Sequence, residues 1–291
     1  MELLATLRRK EYLERLSGVT DGLIVGSDYT TAFHFRRKDL AKVSEYQKSV
    51  NKKLYVIMDN FIMEDEKIDV RDYINYLMSI DVDGIYFHDF GIYGMAGTMK
   101  FPKELIYDGK TVLCNSLDSA FLISKGINGV VISRELTLDE VKEIARANKG
   151  RIDLQVFGHL RLSASKRRFL TNYFKEIRKD YHYFGKETLT LVEEQRDYRM
   201  PIIEDGNGTT IYSDYILEMF NELPSLKDTI RRGIVDTIFI DDLNLLCQLC
   251  RDYKRISEDN KDFIRQSFMN NYPGPYSSAY LYQKTNITKD E

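Results

Sequence analysis

The chain has 291 residues, of which 43% are apolar and 30% are charged, and its formal net charge is −3. This composition is typical of a soluble globular protein and excludes a strongly basic nucleic-acid-binding protein, so any RNA contact requires a local basic patch. Three cysteines exclude a disulfide framework and favour a reducing compartment. The amino terminus lacks the long apolar segment of a secretion signal, and no apolar run is long enough to span a membrane, so we expect a cytoplasmic protein.

Short β-rich segments alternate with amphipathic helical patterns along almost the whole chain. Eight such segments are each followed by a helical pattern, and they cover residues 2–5, 22–25, 53–58, 84–87, 111–114, 129–132, 152–156 and 235–240. Eight strand–helix units are the number that a (β/α)8 barrel requires, although an open, doubly wound sheet gives a similar alternation. We therefore predict an α/β fold that is TIM-barrel-like.

The connection between the seventh and eighth predicted strands is too long for a plain loop. Residues 186–192 and 199–203 have strand patterns, and residues 203–211 predict a strand, a turn and a second strand. This predicts a small β insertion, residues 175–215, that covers the barrel mouth and shapes access to it. The predicted domains are a barrel over residues 1–252, which includes the insertion, and a C-terminal helix and tail over residues 253–291 that pack on the barrel.

Polar residues follow seven of the predicted strands. In barrel enzymes the carboxyl ends of the strands carry the chemistry, so we expect these side chains to meet on one rim. Strand ends are also polar because they emerge into water, and this explanation stays open for many of them. The polar ends are Gly26-Ser27-Asp28, Asp59-Asn60, His88-Asp89, Asn115-Ser116, Ser133-Arg134-Glu135, Gly158-His159 and Asp241-Asp242.

Positive charge is concentrated just after the seventh predicted strand. Arg161, Lys166, Arg167 and Arg168 follow one another closely and are interleaved with serine and aromatic residues. This mixture favours an anionic ligand, because arginine is suited to carboxylate or phosphate, and the aromatic rings can stack an RNA base. The alternative is a basic surface connection whose cations form structural ion pairs and whose aromatic residues pack the insertion.

Residue spacing gives little support for a metal site or an activated nucleophile. His88 and His159 lie at predicted strand ends and, with a rim aspartate, are geometrically compatible with a metal, but no H-E-x-x-H spacing occurs. No serine lies in a G-x-S-x-G elbow. Cys247 and Cys250 form a C-x-x-C, but the apolar spacing of a helical pattern explains both thiols as core residues.

Segments spread over nearly the whole chain resemble one family. They include Gln155-Val156-Phe157-Gly158, Ser165-Lys166-Arg167, Asn172-Tyr173-Phe174, residues 201–205, Asn207-Gly208-Thr209, Ser133-Arg134-Glu135-Leu136, residues 53–56, Asn115-Ser116, residues 236–241 and residues 279–285. With these segments the chain resembles the collagenase-like peptidases, family 32 of the peptidases of unassigned catalytic type (U32), and in particular their short form in Gram-positive bacteria.

The resemblance implies an incomplete barrel-like α/β fold and a peptidase that acts on a peptide. Other members of the family act in hydroxylation of the wobble uridine of transfer RNA or of ubiquinone, and several hold an iron–sulfur cluster through four cysteines. This chain has Phe157-Gly158 and Arg161 where the family motif has His-Gly and then a cysteine. We therefore expect no iron–sulfur cluster and assign no cofactor, while a divalent metal stays open.

Further departures from the family pattern affect the expected rim. Asp59 stands in place of a strand-end asparagine, Asp153 in place of a glutamate and Phe239 in place of a lysine. Phe157, Arg161 and Phe239 thus take the places of an imidazole, a thiolate and an ammonium. The usual base, ligand and electrophile are lost together, which favours altered or absent catalysis. The alternative to a peptidase is thus an accessory subunit in transfer RNA uridine hydroxylation that binds a longer catalytic relative.

The candidate functional residues come from the polar strand ends, the basic stretch and the family-like segment 201–205. We predict catalytic roles for Asp59, His88 and Lys166 and assign no metal ligand. Substrate-binding roles are predicted for Asn115, Arg134, Glu135, His159, Arg161, Arg167, Glu204 and Asp241. A pocket that unites Asp59, His88, Asn115, Arg134 and Lys166 would indicate an enzyme acting on a peptide or transfer RNA. A filled barrel mouth with an exposed apolar patch would indicate an accessory subunit.

Overall fold

The structure is a computed structural model that describes residues 1–30, 33–179, 185, 188–192, 194 and 197–283. The strands in these ranges are β1 (Glu2–Leu7), β2 (Gly22–Gly26), β3 (Lys53–Met58), β4 (Gly84–Phe87), β5 (Glu104–Asp108), β6 (Gly129–Val131), β7 (Ile152–Ser165), β8 (Thr190–Val192), β9 (Arg199–Asp205), β10 (Gly208–Glu218), β11 (Arg232–Val235) and β12 (Tyr276–Ser277). The α-helices are α1 (Leu13–Val19), α2 (Arg37–Ser49), α3 (Lys67–Ser79), α4 (Phe90–Thr98), α5 (Ser116–Ser124), α6 (Leu138–Ala147), α7 (Phe169–Glu176), α8 (Leu223–Leu226), α9 (Leu243–Arg255) and α10 (Lys261–Asn271).

Eight parallel strands close into a barrel. Strands β1 to β7 lie side by side in sequence order, and β11 pairs with both β1 and β7. In these pairings, Arg232 of β11 lies opposite Glu2 of β1 and opposite Asp153 of β7. The predicted TIM-barrel-like α/β fold is therefore confirmed. The incomplete barrel that the family resemblance implies is wrong, because the pairing of β11 with both neighbours closes the barrel.

Side chains fill the barrel in layers, because alternate residues of each strand point inward. The middle layer is apolar and contains Leu4, Ile24, Tyr55, Tyr86, Ile106, Val131 and Ile234. At the amino-terminal end of the strands, Arg232 Nε lies 2.9 Å from Glu2 Oε2 and Arg231 Nε lies 2.7 Å from Asp153 Oδ1. Arg232 and Asp153 are both buried. Removal of the residue paired with either of them would therefore leave an uncompensated charge inside the barrel.

Several polar strand ends are helix caps. The side chains of Asp89, Asn115 and Asp242 accept hydrogen bonds from backbone N–H groups at the starts of α4, α5 and α9. Thr137 and Glu140 form a capping box at the start of α6. Such residues satisfy the unpaired N–H groups of a first helical turn, which explains their polarity without a ligand.

The fifth and eighth strands lie elsewhere than predicted. The fifth strand is β5, and the predicted strand 111–114 instead forms the turn between β5 and α5. The chain turns at Gly109 and Lys110, and the φ of Lys110 is 55°. Leu113 belongs to that turn, and its apolar side chain is buried in the core. The eighth strand is β11, which shares only Val235 with the predicted segment 235–240.

The second half of β7 leaves the barrel and forms the base of the predicted β insertion. The chain bends at Gly158, where φ is 113° and a Cβ atom would lie 2.3 Å from the Asp236 carbonyl oxygen. Beyond it, β7 pairs antiparallel with β10, β10 with β9 and β9 with β8. The predicted strand–turn–strand at 203–211 is confirmed, whereas residues 186–187 of the predicted strand 186–192 lie outside the described residues. The boundary between residues 252 and 253 remains a prediction.

The helices of the described residues are too short or too polar for a membrane crossing.

Candidate functional site

A cluster of two buried carboxylates and three half-buried cations fills the mouth of the barrel. We define the mouth cluster as Asp59 after β3, Asp108 at the end of β5, Lys110 just beyond it, Arg134 after β6 and Arg161 in β7. These residues come from four segments of the chain and meet at the carboxyl ends of the strands, where barrel enzymes carry their functional groups.

Lys110 lies at the centre of the mouth cluster. Its Nζ atom is 2.9 Å from Asp59 Oδ2 and 2.6 Å from Asp108 Oδ2. Arg161 forms an ion pair with the same Asp59 oxygen, and Arg134 lies 3.5 Å from Asp108 Oδ2. Three cations thus surround two carboxylates, and the cluster carries a net positive charge.

The surrounding cations keep both carboxylates ionised. Burial by itself raises the pKa of Asp59, but the charges of Lys110 and Arg161 outweigh it, and the pKa lies below its ordinary value. Burial also raises the pKa of Asp108, but the charges of Lys110 and Arg134 have the larger effect. The pKa of Asp108 therefore lies well below its ordinary value. The Asp59 Oδ1 atom is buried and has no hydrogen-bond partner among the described residues. The cluster therefore has an unused acceptor next to its excess positive charge.

Two cavities adjoin the mouth cluster. The inner one holds only about 50 Å³ and lies inside the barrel, between Arg134, Gln155 and the aromatic rings of Tyr86 and Tyr212. The outer one, called the groove below, has a volume of about 190 Å³ and is open to solvent. The groove is lined by residues that include Asp59, Phe61, His88, Lys110, Val112 and Arg161.

Aromatic rings form one wall of the groove. The ring of Phe61, which is 47% exposed, meets the imidazole of His88 edge-on at 5.4 Å between centroids. His88 Nδ1 lies 2.9 Å from the backbone oxygen of Asp108, so Nδ1 donates that hydrogen bond because a carbonyl oxygen only accepts. On its other side the imidazole stacks on Tyr107. The orientation of His88 is thus fixed from two sides.

The structure brings some of the predicted site residues together. Asp59, His88 and Arg161 line the groove, and Arg134 lines the inner cavity, where its Nε atom donates to Gln155 Oε1 at 2.6 Å. Lys166 lies outside both linings and forms an ion pair with Glu66 at 2.7 Å. The pocket expected of an enzyme is therefore only partly present.

Other predicted substrate-binding residues make structural contacts instead. Glu204 is fully buried, and its carboxylate accepts from the Leu170 N–H at 2.7 Å at the start of α7. His159 is buried and donates from Nδ1 to the Ser213 carbonyl at 2.7 Å, and burial lowers its pKa. Both side chains stabilise the junction between β7 and the insertion, and the structure does not bring them to the groove.

The remaining predicted residues lie on the surface and line neither cavity. Asn115 caps α5, as described above. It does not follow a strand, because the fifth strand ends at Asp108 and not at residue 114. Glu135 and Arg167 are exposed and line neither cavity. Asp241 is exposed and forms an ion pair with Arg9.

Sequence reasoning missed Asp108 and Lys110, the two central members of the mouth cluster. The reason is the misplaced fifth strand, which put Asn115-Ser116 at a strand end instead of Asp108-Gly109-Lys110. A signal was present, because the apolar run Leu105-Ile106-Tyr107 is followed directly by Asp-Gly, a combination that commonly ends a strand.

The described residues do not fit an iron–sulfur cluster or another metal. Among them, no group of three or more His, Cys, Asp or Glu side chains is arranged to hold a metal ion. Cys247 and Cys250 are buried within α9, as predicted for core residues, and Cys114 is exposed on the turn after β5. The expectation that no cofactor binds remains a prediction.

Two curated relatives resemble the chain in sequence. The chain is 30% identical over 200 residues to the tRNA hydroxylation protein P2 of Bacillus subtilis (strain 168). The aligned segment covers 68% of this chain and 65% of the relative. It is 32% identical over 150 residues to an uncharacterized protease of Methanocaldococcus jannaschii. This aligned segment covers 49% of this chain and 35% of the relative. The chain therefore spans less than two thirds of the length of each relative.

Solved structures with the same fold are much more distant in sequence. A U32 peptidase structure matches with a TM-score of 0.51 and 12% identity, covering 81% of this chain and 92% of that one. The N-(5'-phosphoribosyl)anthranilate isomerase of Pyrococcus furiosus matches with a TM-score of 0.50 and 11% identity, covering 88% of this chain and 100% of that one. These likenesses support the barrel fold alone. The model of peptidase family U32 matches residues 29–236, most of the chain, and the protein therefore belongs to that family.

Proposed function

We propose that this protein acts in transfer RNA hydroxylation as a subunit that binds a nucleotide in the groove and does not hydrolyse peptides. The observation that carries the proposal is the composition of the groove, which combines the aromatic rings of Phe61 and His88 with the cations Lys110 and Arg161. Aromatic side chains stack on splayed RNA bases, and Lys and Arg bind phosphate. The likeness to the tRNA hydroxylation protein P2 supports transfer RNA as the source of that nucleotide.

The state of the two carboxylates argues against peptide hydrolysis at the mouth cluster. A general acid needs a proton to donate near neutral pH, and a general base needs a pKa close to that pH. The pKa values of Asp59 and Asp108 are lowered, and both carboxylates are held in ion pairs with Lys110. The inner cavity also leaves too little space for a peptide between these groups.

A filled mouth next to exposed apolar residues fits a protein that works with a partner. Val112 is exposed on the turn after β5 and lines the groove, and Leu117 and Phe121 are exposed on the helix that follows, α5. Exposed apolar surface of this kind is commonly covered by another protein. The proposal includes a longer U32 relative as that partner, and it assigns the hydroxylation chemistry to the relative.

The experiment is nucleoside mass spectrometry of transfer RNA from a strain that lacks this protein. We expect hydroxylated wobble uridine to be lost, and to be restored by a plasmid with the wild-type chain. Unchanged hydroxylation in the deletion strain would overturn the proposal.

A second assay tests the peptidase that the family name indicates. The purified protein is incubated with denatured collagen and with casein, and fragments are followed by gel electrophoresis. We expect no cleavage. Cleavage that disappears in an Asp59→Asn variant would show that the mouth cluster is hydrolytic and would contradict the proposed role.

A further inference from the structure

The tripeptide Arg-Arg-Lys occurs twice near the barrel rim. Arg8-Arg9-Lys10 follows β1, and Arg36-Arg37-Lys38 leads into α2 after β2. Although 28 positions separate the two copies in sequence, residues of both line one open depression of about 430 Å³. The parallel strands β1 and β2 are adjacent, so the segments that follow them leave the same end of the barrel side by side.

The depression has a large excess of positive charge. Among the described residues, its lining contains the cations Arg8, Lys10, Arg36 and Lys38 and one carboxylate, Asp39. Lys10 Nζ lies 2.6 Å from Asp39 Oδ2, so that carboxylate is already neutralised. Arg36 and Lys38 are exposed and form no ion pair with any described residue. The depression thus keeps the positive charges of Arg36 and Lys38, on a chain whose net charge is −3.

The depression lies next to the mouth of the barrel. The guanidinium of Arg8 lies 4.9 Å from the centre of the Phe33 ring, and Phe33 lines the inner cavity together with Asp59 and Arg161. A single aromatic ring therefore separates the depression from the mouth cluster. A chain-like polyanion on this rim can contact the depression and the mouth region together.

We propose that the depression binds backbone phosphates of transfer RNA while one nucleotide of the same molecule occupies the groove. This inference rests on the proposed function and names the surface that would hold the rest of the RNA. Arginine and lysine in an open concave surface are suited to phosphate oxygens. Among the described residues of the lining, Phe35 alone is apolar and it is buried, so this part of the depression offers little of the apolar area that a protein interface or a membrane surface would cover.

The test measures binding of an unmodified transfer RNA transcript to the full-length protein by fluorescence anisotropy at several salt concentrations. The variant Arg36→Glu/Lys38→Glu reverses two exposed charges that form no ion pair within the part of the chain that the structure describes. We expect its affinity to fall on the order of tenfold or more, and the slope of log affinity against log salt to decrease by about 2. A circular dichroism melt verifies that the variant folds.

The matched control is Arg146→Glu/Lys149→Glu, which makes the same charge change near the amino-terminal end of β7, opposite the mouth. We expect this variant to bind transfer RNA as the wild type does. Equal losses in both variants, or no loss in either, would overturn the inference. Binding of the wild type to phosphatidylglycerol vesicles but not to transfer RNA would overturn it as well, and would indicate a membrane surface instead.

Failure of this inference can be told apart from failure of the proposed function. If the Arg36→Glu/Lys38→Glu variant binds transfer RNA normally and the deletion strain still loses hydroxyuridine, only the assignment of the depression is wrong. If the deletion strain keeps its hydroxyuridine, the proposed function is wrong whatever the binding assay gives.

Discussion

The ammonium of Lys110 lies 2.9 Å from the carboxylate of Asp59, and this contact crosses the barrel mouth between segments that follow β3 and β5. Strand β4 separates those two strands in the sheet, so the ion pair reaches over its end. The same ammonium holds Asp108, and Arg161 holds Asp59 from the other side. The mouth of this barrel is therefore closed by charge pairs, and its stability depends on their balance.

Removal of Lys110 tests that balance. In Lys110→Met, Asp59 and Asp108 stay buried, and each keeps an arginine as its one ion-pair partner among the described residues. We therefore expect the free energy of unfolding to fall by about 3 kcal/mol. Urea denaturation followed by circular dichroism measures the loss. The control is Lys166→Met, which breaks the more exposed pair with Glu66 and should cost less than about 1 kcal/mol. Equal stabilities of the two variants would contradict a buried cluster.

Acid should weaken the same contacts. A carboxylate whose pKa is lower in the folded state stabilises the fold above its unfolded pKa of about 3.9, and this contribution is lost as the pH falls through the folded pKa. Asp108 is such a group. We expect Asp108→Asn to be less stable than the wild type at pH 7, and the difference to shrink as the pH falls below about 4. Urea denaturation between pH 7 and pH 3 tests this, and a constant difference would show that Asp108 is not the titrating group.

The barrel was predictable because its signal is distributed over the whole chain. Alternating strand and helix patterns specified the α/β class even where a strand was misplaced, since each unit contributes to the count independently. The positions of short strands such as β5 and β11 were less predictable than the fold class. Segment 111–114 has strand composition, but Gly109 and Lys110 turn the chain before it, and only packing decides that Leu113 is buried from a turn.

The site was only partly predictable for a different reason. Polar residues at strand ends look alike in sequence, whether they cap a helix, as Asn115 and Asp89 do, or enter the barrel mouth, as Asp59 does. Glu204 was selected by a motif, but its carboxylate binds backbone N–H groups of α7. Three-dimensional pairing distinguishes these cases, and no local pattern contains that information.

The three thiols should differ in reactivity. Burial raises the pKa of Cys250 to about 12 and also raises that of Cys247, whereas Cys114 is exposed. Because the thiolate is the reactive form, we expect one thiol of the folded protein to react quickly with Ellman's reagent at pH 8, and all three to react in denaturant. A Cys114→Ser variant should lose the fast reaction. Two fast thiols in the folded wild type would contradict burial of the C-x-x-C pair in α9.

Phe61 provides the most direct test of the groove. Its ring is exposed and belongs to the aromatic wall, so Phe61→Ala should leave the melting temperature nearly unchanged but remove a stacking surface for a base. Stacking of a base on an aromatic ring contributes about 1–3 kcal/mol, so we expect affinity for transfer RNA to fall roughly 5- to 150-fold. Anisotropy measures that loss, and the variant should restore less hydroxyuridine than the wild type in the deletion strain.

The control for Phe61 is Phe263→Ala, which removes an equally large ring that is 76% exposed on α10. This ring lines neither cavity, so the control should bind transfer RNA and restore hydroxyuridine as the wild type does. If both alanine variants bind normally, the groove is not where the base lies. A loss confined to Phe61→Ala would instead locate the nucleotide between the aromatic wall and the cations of the mouth cluster, because those groups share one groove.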